Sequence, residues 1–174
     1  MKTETRKEKE ELSIVTYPSD TLRQKADEIR EVDQETVDLA NKLVETMFRA
    51  EGIGLAAPQI GVRKRIIAMD VDEDFHVLIN PEVVDWSDDE ELIEEGCLSL
   101  PGANGEVSRS TGVEVKGVDP EGREKKLHRT GLPARVLLHE IDHLDGTLFI
   151  DRMTEAARSL LLKEYKKEKT ESTS

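Results

Sequence analysis

The chain has 174 residues, a formal net charge of −13 and a single cysteine. That length suits one domain with a core large enough to fold without cross-links, one thiol excludes an internal disulfide and points to a reducing compartment, and the acidic excess argues against a nucleic-acid-binding face. No apolar run is long enough to span a bilayer, and Met1–Glu11 alternates Lys, Arg and Glu with no apolar segment of a signal peptide, so a cytoplasmic protein with no membrane attachment and no direct DNA binding is expected.

Residues 1–12 are charged and aperiodic and are expected to be a flexible tail, residues 13–169 one domain, and residues 170–174 a second flexible tail. After Tyr17-Pro18 breaks the chain, Ile29 and Val32 carry only weak helical signals. From Asp33, a good N-cap, the apolar residues Val37, Ala40, Leu43, Val44, Met47 and Phe48 recur at helical spacing and predict a packing helix. Gly52–Gly61 then forms a small-residue loop, read either as a tight turn that docks the helix or as backbone open to a ligand.

Arg65–Val71 and Val77–Asn80 read as short strands, with Val83–Trp86 continuing the β character beyond Pro81. The acidic runs Asp70–Asp74 and Asp85–Glu95 read as solvated loop or edge-strand charge, without calcium-loop spacing. Gly96 and Pro101 bracket an extended segment holding Cys97, and Val113–Val118 with Arg123–Leu127 predicts a hairpin around Asp119-Pro120-Glu121-Gly122. Gly131-Leu132-Pro133 opens a helix through His139 and His143 that stops at Gly146. Leu148–Ile150 reads as a brief extended piece, and Glu155–Lys169 as an amphipathic helix with Ala156, Leu160, Leu161 and Tyr165 inward. Strands in the middle flanked by helices give an α+β fold in a single domain, with antiparallel strands around a helix in the carboxy-terminal half.

That helix holds His139-Glu140-Ile141-Asp142-His143. Imidazoles at i and i+4 converge on one face, so the pair is either two packed core histidines or a metal site with Glu140 beside it. A catalytic metal usually takes three protein ligands and leaves a position for water. The longer histidine pattern would place its third ligand at Phe149, which cannot coordinate; Glu164 has a tolerable spacing but a solvated context, which leaves Cys97 as the best third ligand. His76 and His128 lie in polar strand contexts and read as surface residues.

Gly52-Ile-Gly-Leu-Ala-Ala-Pro-Gln59, Glu95-Gly-Cys-Leu-Ser-Leu-Pro101 and His139-Glu-Ile-Asp-His-Leu-Asp-Gly146, in that order, resemble the three signature motifs of peptide deformylases of the bacterial type, over a span from about Ile14 to about Leu162. The resemblance implies a hydrolase that removes the formyl group from the N-terminal formylmethionine of newly made proteins and releases formate. It implies Cys97, His139 and His143 as metal ligands, and Glu140 as the general base that takes a proton as metal-bound water attacks the formyl carbon and delivers it to the departing amine. The side-chain amide of Gln59 and the backbone N–H of Leu98 match the oxyanion donors. Gly54 matches a substrate contact, while Ile53, Leu132 and Val136 fall where the family lines its methionine pocket. Ferrous iron is the family's characteristic metal, and zinc, nickel or cobalt can occupy such a site. Formyl-Met nascent peptides and the ribosome are the implied partners, with the basic cluster Lys163, Lys166, Lys167 and Lys169 either docking on ribosomal RNA or simply solvated.

Leu138 stands where the family often has glutamine, which removes no catalytic group. The competing readings are a peptidase whose third ligand is Glu164, a metal-free cysteine amidase in which His139 or His143 activates Cys97, and a module that binds metal only structurally.

Overall fold

The protein is described here by a computed structural model covering residues 12–173. The expected tail over residues 1–12 therefore falls outside the described residues apart from Leu12. In chain order the elements are α1 (Gln34–Arg49), β1 (Gly54–Ala56), β2 (Ile66–Val71), β3 (Asp74–Trp86), β4 (Glu90–Cys97), β5 (Leu100–Ser110), β6 (Gly112–Val118), β7 (Glu124–Thr130), α2 (Gly131–Leu144) and α3 (Glu155–Ser172). Strands β1-β2-β3-β6-β7 form an antiparallel sheet, and β4 with β5 forms a separate hairpin. This is the expected α+β class with antiparallel strands around α2.

Strand β2 shows how the layers are organised. Successive side chains of a strand point to opposite faces. Ile67, Met69 and Val71 accordingly pack with Leu137, Ile141 and Leu144 of α2, whereas Ile66 and Ala68 pack with Leu43 and Met47 of α1. The sheet is thus covered on both faces by helices, and α2 also touches β5 of the hairpin. A third cluster joins Leu100, Ala103 and Val107 of β5 to Phe149 and to Leu161 and Tyr165 of α3.

Helix α1 begins where its cap predicts, with the Asp33 carboxylate accepting from the Thr36 N–H at 2.9 Å. Helix α2 stops because Gly146 turns back at φ +74°, and a Cβ there would lie 2.5 Å from the Arg23 carbonyl oxygen.

Several local expectations give way to tertiary packing. The 20–32 region, where helical signals were weak, holds one 3-10 turn, Asp20–Arg23. The β character read on both sides of Pro81 is, as expected, continuous: it is the one strand β3, with a shift in register between Ile79 and Glu82. The segment from Gly96 to Pro101, read as extended, holds the tight turn that joins β4 to β5, where Cys97 pairs with Leu100. Phe149–Arg152 is a 3-10 turn, with Phe149 and Ile150 buried, where an extended piece was expected. Phe48 faces solvent and stacks on Phe75, while Ala156 and Leu160 of α3 also point outward. Residues 170–172, assigned to a tail, continue α3 as far as Ser172.

Leu43 lies fully buried where α1 meets β2 and β3. Leu43→Ala is therefore expected to lower stability by about 2–5 kcal/mol in urea denaturation, whereas a loss below about 1 kcal/mol would show that α1 is not integral to the core.

Candidate functional site

The site is assembled by two elements with unrelated local causes. Helical spacing puts His139 and His143 on the face of α2 opposite Leu137. The β4–β5 turn brings Cys97 to meet them. The Cys97 Sγ lies 3.4 Å from His143 Nε2, which is 3.3 Å from His139 Nε2, and these three atoms all lie within 4.8 Å of one another. Edges of about 3.4 Å are what a tetrahedral ion with metal–nitrogen bonds near 2.1 Å requires. One sulfur and two imidazole nitrogens also form the donor set that a borderline divalent transition metal prefers. The cluster therefore fits the ion that the sequence implies. Glu164, the alternative third ligand, sits exposed on α3.

A buried carboxylate orients the first histidine. The Glu95 Oε1 lies 2.8 Å from His139 Nδ1, which places a proton on Nδ1 and turns Nε2 toward Cys97 and His143. Arg109 binds the same carboxylate through Nε at 2.6 Å and Nη2 at 3.1 Å, and Arg135 donates from Nη1 to Oε2 at 2.7 Å. Arg109 also reaches Asp142 at 2.9 Å, and Arg152 closes on Asp142 from the turn after α2. Burial pushes the Glu95 pKa up, but hydrogen bonds from His139 and Arg109 and their positive charge outweigh it and hold the carboxyl at about 2. Glu95 ends the acidic run that the sequence assigned to solvent; it is instead only 7% exposed.

Burial disfavours charge on His139, yet hydrogen bonds to Cys97 and Glu95 and attraction from nearby negative charge raise its pKa to about 10. A proton held in the metal-free cluster is what a divalent ion displaces on binding. His143, buried and beside His139, is pushed well below the usual imidazole range, and its Nδ1 has no hydrogen-bond partner. Glu140 is buried at 4% exposure, and its Oε2 is likewise unpartnered. Burial raises its pKa to about 7 against the pull of His139 and Arg109.

A cavity of about 330 Å³ opens onto the cluster. Gly54, Gln59, Cys97, Leu98, His139 and Glu140 line it, with Ile53, Leu132 and Val136 along the apolar side. Ile53 and Leu132 are about half exposed, at 48% and 49%, while Val136 is buried. His143, the remaining candidate, belongs to the ligand cluster but is buried and does not line the cavity. The Gln59 Oε1 accepts the Ala56 N–H at 2.9 Å, which aims Nε2 at Ser99 Oγ, 3.1 Å away, and toward Cys97 Sγ at 3.5 Å. Gly54 has no room for a side chain, because a Cβ would lie 2.5 Å from Glu140 Oε1 and 2.8 Å from Val136 Cγ1. Of the other two histidines, His128 is exposed as expected, but His76 is partly buried between Asp74 and Arg129, away from the surface role read from its context.

The sequence left Glu95, Arg109, Arg135, Ser99 and Asp142 without roles at the site. Arg135 precedes His139 by four residues and so shares its helix face, a signal that was available. Arg109 had none, because only the pairing of β5 with β4 brings it to Glu95.

A family model described as polypeptide deformylase matches residues 11–159. A peptide deformylase from Thermodesulfovibrio yellowstonii is 47% identical over 163 residues, which cover 91% of this chain and 98% of that protein. One from Natranaerobius thermophilus is 49% identical over 83% of this chain and 94% of its own length. Among solved structures, the peptide deformylase of Legionella pneumophila superposes with a TM-score of 0.86 at 38% identity, covering 92% of this chain and 96% of that one. That of Ehrlichia chaffeensis in complex with actinonin gives 0.85 at 38% identity, covering 90% and 96%.

Glu95→Gln keeps the shape of the side chain but removes the charge that faces two guanidinium groups and His139. Divalent-metal affinity, measured by competition with a chelating dye, is expected to fall about 10–100-fold; an unchanged affinity would show that Glu95 does not orient the ligand.

Proposed function

The chain belongs to the peptide deformylase family, hydrolases that remove the formyl group from nascent peptides, and on that footing we propose how its own residues do so. Cys97 Sγ, His139 Nε2 and His143 Nε2 hold one divalent metal, ferrous iron in the cell, with zinc, nickel or cobalt as substitutes. The ion supplies, when bound, a Lewis acid that eases deprotonation of water and polarises a carbonyl. The observation that carries this reading is the convergence of the three ligand atoms beside the buried Glu140, whose Oε2 has no hydrogen-bond partner.

Glu140 takes a proton as water adds to the formyl carbon and returns it to the departing amine, so that the C–N bond breaks and formate leaves. Gln59 Nε2 and the Leu98 N–H donate to the oxyanion that develops on the former carbonyl oxygen. Gln59 is preorganised for this by its hydrogen bond to Ala56, which costs nothing at the moment of reaction. Bare backbone at Gly54 admits the substrate chain beside Glu140, and Ile53, Leu132 and Val136 form apolar walls for the methionine side chain.

The substrate is a nascent chain that begins with formylmethionine, and the compartment is the cytoplasm. No helix among the described residues is long and apolar enough to cross a membrane. Contact with the ribosome falls to α3. Leu161 and Tyr165 anchor this helix, and Lys163, Lys166 and Lys167 are exposed. Lys169 is already engaged, donating to the Tyr17 carbonyl at 3.1 Å. Docking of the three exposed lysines on ribosomal RNA phosphates would be salt-dependent.

Two measurements test the reading. Anaerobic deformylation of formyl-Met-Ala-Ser, with metal content determined, is expected to show that Glu140→Ala keeps its metal and loses about 10²–10⁴-fold in turnover. Full activity of the metal-free protein would point instead to Cys97 acting as a nucleophile, and cleavage of internal peptide bonds with the formyl group left intact would point to a peptidase. Replacing Lys163, Lys166 and Lys167 with Glu is expected to weaken ribosome co-sedimentation at low salt and to leave turnover of the short peptide unchanged; undiminished co-sedimentation would remove α3 from the interface.

A further inference from the structure

Arg135 is a buried cation, 6% exposed, in the wall of the substrate cavity. Arg109 already gives Glu95 two hydrogen bonds and has Asp142 as a further anionic partner, so Glu95 would remain ionised and paired without Arg135. What Arg135 adds is reach. Its Nη1 donates to Glu95 Oε2 at 2.7 Å and to the Val107 carbonyl at 2.9 Å, and its Nη2 donates to the Glu91 carbonyl at 2.6 Å. One guanidinium group on α2 therefore grips both strands of the hairpin.

The grip falls where the hairpin needs it. Glu91 pairs with Arg109 and Ile93 with Val107, so the two carbonyls belong to rungs of the ladder only two apart. Among the described residues β4 pairs only with β5, and the stretch Ile93–Cys97 forms one wall of the cavity. That same stretch ends in the ligand Cys97 and contains Glu95, which holds the ligand His139. Arg135 lies one helical turn before His139, on the same face.

We propose that Arg135 is a positioning residue that locks β4 and the Glu95 carboxylate to α2, and thereby sets both the hold on the metal and the width of the substrate cleft. A planar fork with several donors suits three acceptors on two strands, whereas a lysine ammonium would satisfy them poorly. The inference rests on the metal-site reading above for its effect on the ion, but not for its effect on β4.

The test compares wild type, Arg135→Met, Arg135→Lys and, as a control for lost stability alone, Leu43→Ala. In Arg135→Met, zinc loss to a chelator is expected to be about tenfold faster. KM for formyl-Met-Ala-Ser should rise with kcat near that of wild type, the pattern of lost binding geometry. Amides of Ile93–Cys97 in the metal-free protein should exchange with deuterium faster than in wild type. Arg135→Lys should fall between the two, and Leu43→Ala should leave zinc loss and KM unchanged. Zinc loss, KM and β4 exchange in Arg135→Met that match the Leu43→Ala control would overturn the proposal. A wild type that binds no zinc would sink the metal-site reading instead, and exchange at β4 would then decide for Arg135 alone.

Discussion

The Glu95 carboxylate is the fixed point of this molecule. Two arginines and a histidine, contributed by β5 and α2, spend four hydrogen bonds on its two oxygens, which fills its acceptor capacity. A carboxylate buried this deeply is held by its partners, since a buried charge left uncompensated costs about 3–5 kcal/mol. The hairpin β4–β5 shares no ladder with the five-stranded sheet. Its position against α2 is therefore set by these polar bonds together with packing around β5. Asp142 extends the network through Arg109 to Arg152, tying in the chain that follows the helix.

Helix α2 sorts its residues by face. Leu137, Ile141 and Leu144 fill the core against the sheet, whereas Arg135, His139 and His143 address the hairpin. A helix wedged between two sheets can thus carry its fold and its chemistry on separate stripes. The cavity is the gap that remains between the Gly52–Gly54 segment and β4, with the reacting groups on its floor. Close packing at Gly54 shows how little slack that gap contains, because even a methyl group would collide with Glu140.

Acidic composition carried two meanings that the sequence could not separate. The carboxylates of Asp72 and Glu73 lie exposed at a hairpin turn, as their clustering suggests. Glu95 closes an equally acidic run and is buried. In an exposed edge strand the period of two leaves open which alternate residues turn inward, and only the partner across the gap decides it. Phe48 illustrates the converse: helical periodicity assigned it inward, yet it lies at the margin of the α1 stripe and finds a partner in Phe75 outside the core.

What the sequence determined by itself was local and covalent. The spacing of His139 and His143 dictates a shared helix face, Asp33 and Gly146 mark helix ends, the Asp119–Gly122 turn marks a hairpin, and three ordered motifs carry the family resemblance. The tertiary structure decided everything that depends on pairing between distant segments: Cys97 meeting the histidines, Glu95 turning inward, and Arg109 and Arg135 converging on it. Those contacts join residues 14 to 46 positions apart, and no local preference of the chain encodes which of its many charges will be drawn into the interior.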